Sequence, residues 1–305
     1  VSGARGTDPL DALPLRHAVL LGLLHGPAEL LPISSSGHIT LVPWLLGWPY
    51  EELDGELRKA FEVALHFGTA AALLVALRDE VDDAARGLDR RRVTLIALSF
   101  AVPAVAGLTL ERAIEQRLGT PASIAGGLLA GSCLMAWADR VGGSTRERET
   151  AGAVDALWLG VAQACALVPG ASRNGMTLAA ARWRGFGRED ANVLSRHVAL
   201  PVIVGATVLK GTRLASRGLP PGLAGRFAAG VAASFVSTLG STWLIRQVER
   251  DRSLMPYAVY RGALAGVVLT RSARSRARAR GAREGERGFR VGQRPEPRID
   301  GRAGR

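Results

Sequence analysis

The chain has 305 residues, 48% of them hydrophobic, and carries 39 Lys and Arg against 27 Asp and Glu for a formal net charge of +12. Stretches of 18 residues without a charged side chain, at 93–110 and 121–138, exclude an ordinary soluble domain. The excess charge does not indicate nucleic acid either: residues 271–305 hold 12 Arg against four acidic residues, 12 minus 4 or +8, so the rest carries only about +4.

The first segment, 15–47, begins apolar. It is followed by His25, Glu29 and a Ser cluster rather than by a small-residue cleavage site, so it does not read as a signal peptide. It breaks at Pro32, Ser34, Ser35, Ser36, Gly37 and His38. His25 and Glu29 are four residues apart and share a helix face. A carboxylate, an imidazole and several hydroxyls at a break inside a membrane are expensive, and such groups are a functional site by default. Hydroxyls and free N–H groups at a half-helix start bind anionic oxygens, while His or Glu moves protons or activates a nucleophile. The plainer reading is a Ser-rich cap with a polar pair.

Next come apolar stretches near 61–77, 93–110 and 121–138. Glu62 opens the first of them and is expected to stand behind the site; His66 and its counterpart His197 read as packing residues. Cys133 and Cys165 lie in apolar surroundings, outside any CxxC or Cys/His spacing, so neither a disulfide framework nor a zinc cluster follows. The six Trp residues fall mostly near expected span ends, where interfacial anchoring explains them.

A second broken segment, 154–181, carries Pro169, Gly170, Ser172, Arg173, Asn174, Gly175 and Thr177. Pro169 set over Pro32 places Ser172 over Ser35, an internal repeat. A guanidinium in a membrane cavity needs an anionic partner, and its fork of donors matches phosphate. The plainer reading pairs Arg173 with Glu29 or Glu62 to hold the halves together. Further apolar stretches lie near 193–212, 224–245 and 256–270.

Broken backbone is tolerated at membrane depth only inside protein or beside water. The expected fold is therefore an all-α polytopic membrane protein, about six transmembrane helices plus two re-entrant helix pairs in an inverted-topology repeat. The membrane domain covers 12–270, with repeat one at about 12–140 and repeat two at about 153–270. The Arg-rich tail, 271–305, is expected to be disordered, and anionic lipid headgroups are its natural contact. Loops near 78–92, 140–148, 182–188 and 250–252 share one face with 13 Arg, against about eight basic residues opposite, so the excess of positive charge on cytoplasmic loops puts the first face in the cytoplasm.

These motifs resemble the undecaprenyl-diphosphate phosphatase family, also known as bacitracin-resistance proteins, from about residue 12 to about 270. The resemblance rests on Glu29-Leu-Leu-Pro-Ile-Ser-Ser-Ser-Gly-His38, Phe61-Glu62-Val63, Pro169-Gly-Ala-Ser-Arg-Asn-Gly-Met-Thr177, Ala199-Leu-Pro-Val-Ile-Val-Gly-Ala206 and Pro256-Tyr-Ala-Val-Tyr-Arg261. It implies an inner-membrane enzyme that hydrolyses undecaprenyl diphosphate, an active site facing the outer side, and a divalent cation such as Mg2+ or Ca2+. Its acidic motif falls on His25 and Glu29, its Ser/His loop on Ser34, Ser35 and His38, and its phosphate loop on Ser172, Arg173 and Thr177. Where the family has Glu or Gln, this chain has His25, and Asn174 stands where Ser is commoner. An imidazole holds a hard cation less well than a carboxylate does, so altered metal dependence is expected.

The expected chemistry has Arg173 clamp the diphosphate with Ser34, Ser172, Asn174 and Thr177. Ser35 attacks phosphorus, His38 serves as base or leaving-group acid, and Glu29 holds the metal or orients His38. Attack by His38, or by water activated by Glu29, stays open. The competing function is a transporter or flippase of undecaprenyl phosphate or a small anion, since broken-helix repeats also build transporters; an inactive paralogue is a third, motivated by His25 alone. The partners are the lipid substrate and the bilayer, without nucleic acid, and a homo-oligomer is left open.

Overall fold

In the computed structural model, residues 8–251 and 253–292 are described. The first set of helices is α1 (Pro9–Ala12), α2 (Leu15–Leu30), α3 (Ser35–Leu46), α4 (Gly55–Ala76), α5 (Arg78–Arg86), α6 (Arg90–Leu118) and α7 (Pro121–Val141). A second set follows: α8 (Ala153–Cys165), α9 (Arg173–Trp183), α10 (Arg188–Arg217), α11 (Leu223–Gly240), α12 (Trp243–Arg250) and α13 (Met255–Gly292). Short polar side chains start several of them. Asp54 accepts from the N–H groups of Glu56 and Leu57, Asp89 from that of Arg92, and Thr120, just before Pro121, from that of Ser123.

Among the described residues, five helical stretches are long and apolar enough to cross a bilayer: Gly55–Ala76, Arg90–Leu110, Pro121–Val141, Arg188–Leu209 and Leu223–Gly240. The sixth expected span, 256–270, forms the first part of α13 and packs along α7. Large apolar side chains such as Leu108, Val105, Val208 and Val236 stand exposed on these helices. In water that surface would be an aggregation liability, whereas lipid accepts it. The protein is an all-α, multi-pass membrane protein.

The segment expected to be disordered differs in part. The structure carries α13 as helix through Gly292, and 293–305 lie outside the described residues. Ala and Arg are both strong helix formers, so a helix that leaves the bundle can continue without a core of its own.

Both breaks adopt one local structure. Ser34 and Ser172 have positive φ, 78° and 70°, and each Oγ accepts from the N–H three residues on, Gly37 or Gly175. The main helix pairs are α2 with α11, α6 with α8, α7 with α13 and α4 with α11, followed by α7 with α9 and α4 with α10. Exchanging α2, α4, α6 and α7 for α8, α10, α11 and α13 turns the α2–α11 pair into α6–α8 and leaves α4–α10 and α7–α13 unchanged, whereas α7–α9 has no such counterpart among these pairs. Small residues allow the approach: a Cβ at Gly22 would collide with the carbonyl of Gly230, and one at Gly26 with the backbone of Thr238.

Arg261 of α13 ties the breaks together. Fully buried, it donates to the carbonyls of Pro32 (3.2 Å), Gly170 (3.0 Å), Ala171 (2.8 Å) and Leu128 (3.3 Å). Arg261→Ala would leave these four carbonyls without that donor at about 1–3 kcal/mol per orphaned group, so a loss of roughly 4 kcal/mol or more is expected, read as an earlier thermal unfolding midpoint in detergent. Arg261→Lys should recover only part of it, because an ammonium has no planar fork. An unchanged midpoint for Arg261→Ala would show that these carbonyls find other donors.

Candidate active site

Pro27 lies near the end of α2, and the chain turns out of the helix at Leu31, before α3 restarts at Ser35. That turn folds Ser35 back under Glu29, and its hydroxyl donates to Glu29 Oε2 at 2.5 Å. The equivalent restart of α9 points Arg173 at the same carboxylate, where its Nη2 pairs with Glu29 Oε1. Asn174 beside it donates to the carbonyl of Leu30 at 3.0 Å and accepts from Ser195 at 3.2 Å. The two breaks thus meet at one carboxylate, and their caps correct the sequence register: Ser34 matches Ser172 and Ser35 matches Arg173, 138 residues apart, where the Pro32–Pro169 alignment had set Ser35 over Ser172.

Glu29, Arg173 and Asn174 line an open cleft whose walls include Leu73 of α4, Leu77 just after it, Ser195 and Ile203 of α10, and Val248 of α12. Apolar walls with a polar floor suit a lipid carrying a charged head. Near the cleft, Arg196 bonds both Glu80 (3.2 Å) and Glu249 (2.6 Å), linking α10 to α5 and α12. His197 lies 3.4 Å from Glu80 in the same cluster.

The other expected residues take more local places. Ser34 and Ser172 cap α3 and α9 through oxygen lone pairs, which leaves each hydroxyl proton free to donate. With the Ser195 proton on Asn174, Thr177 donates to Ser195 (2.5 Å) and its hydroxyl also lies 2.9 Å from the carbonyl of Arg173, buttressing the start of α9. His38 faces away from Ser35: its Nδ1 donates to the carbonyl of Ser34 (2.7 Å), and its Nε2 accepts from Tyr260 (2.8 Å). Glu62 pairs with Lys59 at 3.0 Å, and its carbonyl accepts from Nδ1 of His66 at 2.9 Å.

His66 belongs to the site although its sequence setting suggested packing. Its Nε2 lies 3.5 Å from Glu29 Oε2, and its ring meets that of His25 edge-on at 4.4 Å. Donor atoms of His25, Glu29 and His66 all lie within 4.8 Å of one another. Two nitrogens and one carboxylate do not fit the all-oxygen shell of Mg2+ or Ca2+. Tyr260 and Arg261 were also missed as positioning residues, yet Arg261 could be found by its signal: an arginine inside the apolar stretch 256–270 needs partners.

A family model described as bacitracin resistance protein BacA matches residues 18–267. An undecaprenyl-diphosphatase of Geobacter sulfurreducens is 41% identical over 270 residues, spanning 84% of this chain and 98% of the relative. One of Trichlorobacter lovleyi is 39% identical over 263 residues, 82% of this chain and 94% of the relative. A third, of Salinibacter ruber, is 34% identical over 271 residues, 83% and 97% of the two chains.

Proposed function

Because the chain belongs to the bacitracin resistance protein BacA family, we propose that its two broken helices form the active site of an undecaprenyl-diphosphatase. The protein hydrolyses undecaprenyl diphosphate to undecaprenyl phosphate and inorganic phosphate, which recycles the lipid carrier of cell-wall synthesis; bacitracin resistance is the trait of its family. One observation carries the assignment of the site: Ser35 and Arg173, from opposite halves of the chain, share the carboxylate of Glu29.

In this reading the diphosphate enters the cleft head first and takes over Arg173, with donors from Ser34, Ser172 and the first N–H groups of α3 and α9. Asn174 and Thr177 hold the start of α9 in place. Ser35 Oγ attacks the terminal phosphorus as its proton passes to Glu29 Oε2. The bond from phosphorus to the bridging oxygen breaks, and undecaprenyl phosphate leaves. Water then displaces Ser35 from phosphorus, and Glu29 hands its proton back to the serine. Glu29 replaces His38 as the base because Ser35 is bonded to Glu29, while both ring nitrogens of His38 are engaged elsewhere. His38 and Tyr260 become positioning residues, and no step here depends on a bound metal.

The inner membrane is the compartment that fits this lipid, and the repeat is read as inverted, each broken pair entering from its own face. The cleft lining includes Leu77 and Val248, which in sequence adjoin the loops at 78–92 and 250–252. An outward-facing site therefore puts those loops outside, against the count of 13 Arg to eight. It also puts the tail inside, where its first 20 residues add eight Arg to the other face, 8 plus 8 or 16.

Right-side-out vesicles test activity and orientation together. Given farnesyl diphosphate from outside, they should release phosphate without permeabilisation, and detergent-solubilised protein should release it from undecaprenyl diphosphate. Release only after permeabilisation would reverse the orientation. Absence of release in detergent, with anion uptake in liposomes, would favour the transporter.

A further inference from the structure

The cluster beside Glu29 has a proton arrangement that a purely structural polar knot does not need. Ser234 of α11 donates to the carbonyl of Leu65 at 2.9 Å, and Thr238 donates to the carbonyl of Ser234 at 2.7 Å. With the Ser234 proton used, the 2.8 Å bond between Ser234 and Thr69 takes its proton from Thr69. Thr69 then has none left for His25, so the 2.9 Å contact between them is Nδ1–H of His25 donating to Thr69 Oγ1. A neutral His25 is thereby left with a bare lone pair on Nε2. That atom is fully buried and has no hydrogen-bond partner.

His66 repeats the pattern. Its Nδ1 must donate, because its partner is the carbonyl of Glu62, so in the neutral ring Nε2 carries a lone pair on the side of Glu29. Two imidazoles, each tied at Nδ1 and grouped with one carboxylate so that their ligand atoms lie within 4.8 Å of one another, have the outer-shell arrangement by which proteins orient histidine ligands. An ion with bonds near 2.0–2.2 Å holds tetrahedral ligand atoms roughly 3.3 Å apart. The 3.5 Å from His66 Nε2 to Glu29 Oε2 is already close to that, and the full set needs only modest contraction from its 4.8 Å limit.

We propose that His25, His66 and Glu29 bind one first-row transition-metal dication, of the Zn2+ or Co2+ type, where the family resemblance implied Mg2+ or Ca2+. The donor set decides the class: imidazole nitrogens favour borderline ions, and hard ions prefer oxygen. Glu29 Oε2 carries two lone pairs, one for the Ser35 hydroxyl and one for the ion. Thr69 and Ser234 act through His25 by fixing its tautomer. The inference rests on the proposed placement of the active site at Glu29.

The test uses full-length protein in detergent without a polyhistidine tag, stripped with chelator and dialysed against Zn2+, Co2+ or Mg2+. About one Zn2+ per chain should be retained, against little Mg2+, and bound Co2+ should show visible d–d absorption of low-symmetry, nitrogen-containing coordination. His25→Gln and His66→Gln should each weaken Co2+ binding tenfold or more, and His25→Glu should raise Mg2+ retention. His66 is partly exposed on α4, so His66→Gln should keep the unfolding midpoint of the parent. Failure of the parent protein to retain Zn2+ or Co2+, or retention unchanged in both Gln variants, overturns the site. Phosphate release by protein that retains no such ion sinks this inference and leaves the hydrolase standing; Zn2+ retention without phosphate release does the reverse.

Discussion

Arg173→Ala should lower kcat/KM for phosphate release by roughly a thousandfold, about 4 kcal/mol, the scale expected when a fixed charge aimed at a transferring phosphoryl group is removed. Arg173 lines the cleft and pairs with the same carboxylate as Ser35, and its fork matches two phosphate oxygens at once. Its ion pair with Glu29 means that Ala also strips a largely buried carboxylate of its countercharge. Arg173→Lys separates the two roles, since Lys keeps a positive charge for Glu29 but cannot grip two oxygens. Expected for Lys are an unfolding midpoint near that of the parent, a kcat still down by about a hundredfold and weak inhibition by vanadate. Near-parental kcat in Arg173→Lys would reduce this residue to a fastener between the repeats.

The fold was legible because its signals are local. Uncharged 18-residue stretches and the paired breaks at Pro32 and Pro169 are visible in any window of the sequence, and both breaks reappear as helix restarts capped by Ser34 and Ser172. The composition of the site was legible for the same reason: Glu29, Ser35 and Arg173 are costly in a membrane and stand at the breaks. Their wiring was not. Whether Ser35 bonds Glu29 or His38 depends on how the chain turns at Leu31 and on where Tyr260, 222 residues from His38, comes to rest. His66 could not be distinguished from a packing residue, because its role depends on the angle at which α4 meets α2. The hydroxyl chain of Thr69, Ser234 and Thr238 joins helices α4 and α11, 165 residues apart, and no spacing rule links them.

Ser35→Ala should remove nearly all turnover, roughly a thousandfold or more, and with it any covalent phosphoenzyme, because the attacking oxygen itself is deleted. The 2.5 Å bond from Ser35 to Glu29 makes Glu29→Gln the matching experiment: an amide keeps the shape and can still accept a hydrogen bond, but it cannot take up the proton. Its kcat should fall about as far as that of Ser35→Ala, and the double variant should be little worse than either alone, since groups that act in one step are not additive. His38→Gln provides the contrast. It loses part of the bracket between Ser34 and Tyr260, so a drop of about tenfold is expected. Rapid quenching with substrate labelled in the terminal phosphate should trap phosphoserine in the parent protein and none in Ser35→Ala. If Ser35→Ala retained a tenth or more of the parental rate while Glu29→Gln did not, water activated by Glu29 would be the nucleophile and Ser35 only its hydrogen-bond partner. If His38→Gln alone abolished turnover and the labelled phosphate appeared on histidine in the parent, both serine and water would be excluded as the attacking group.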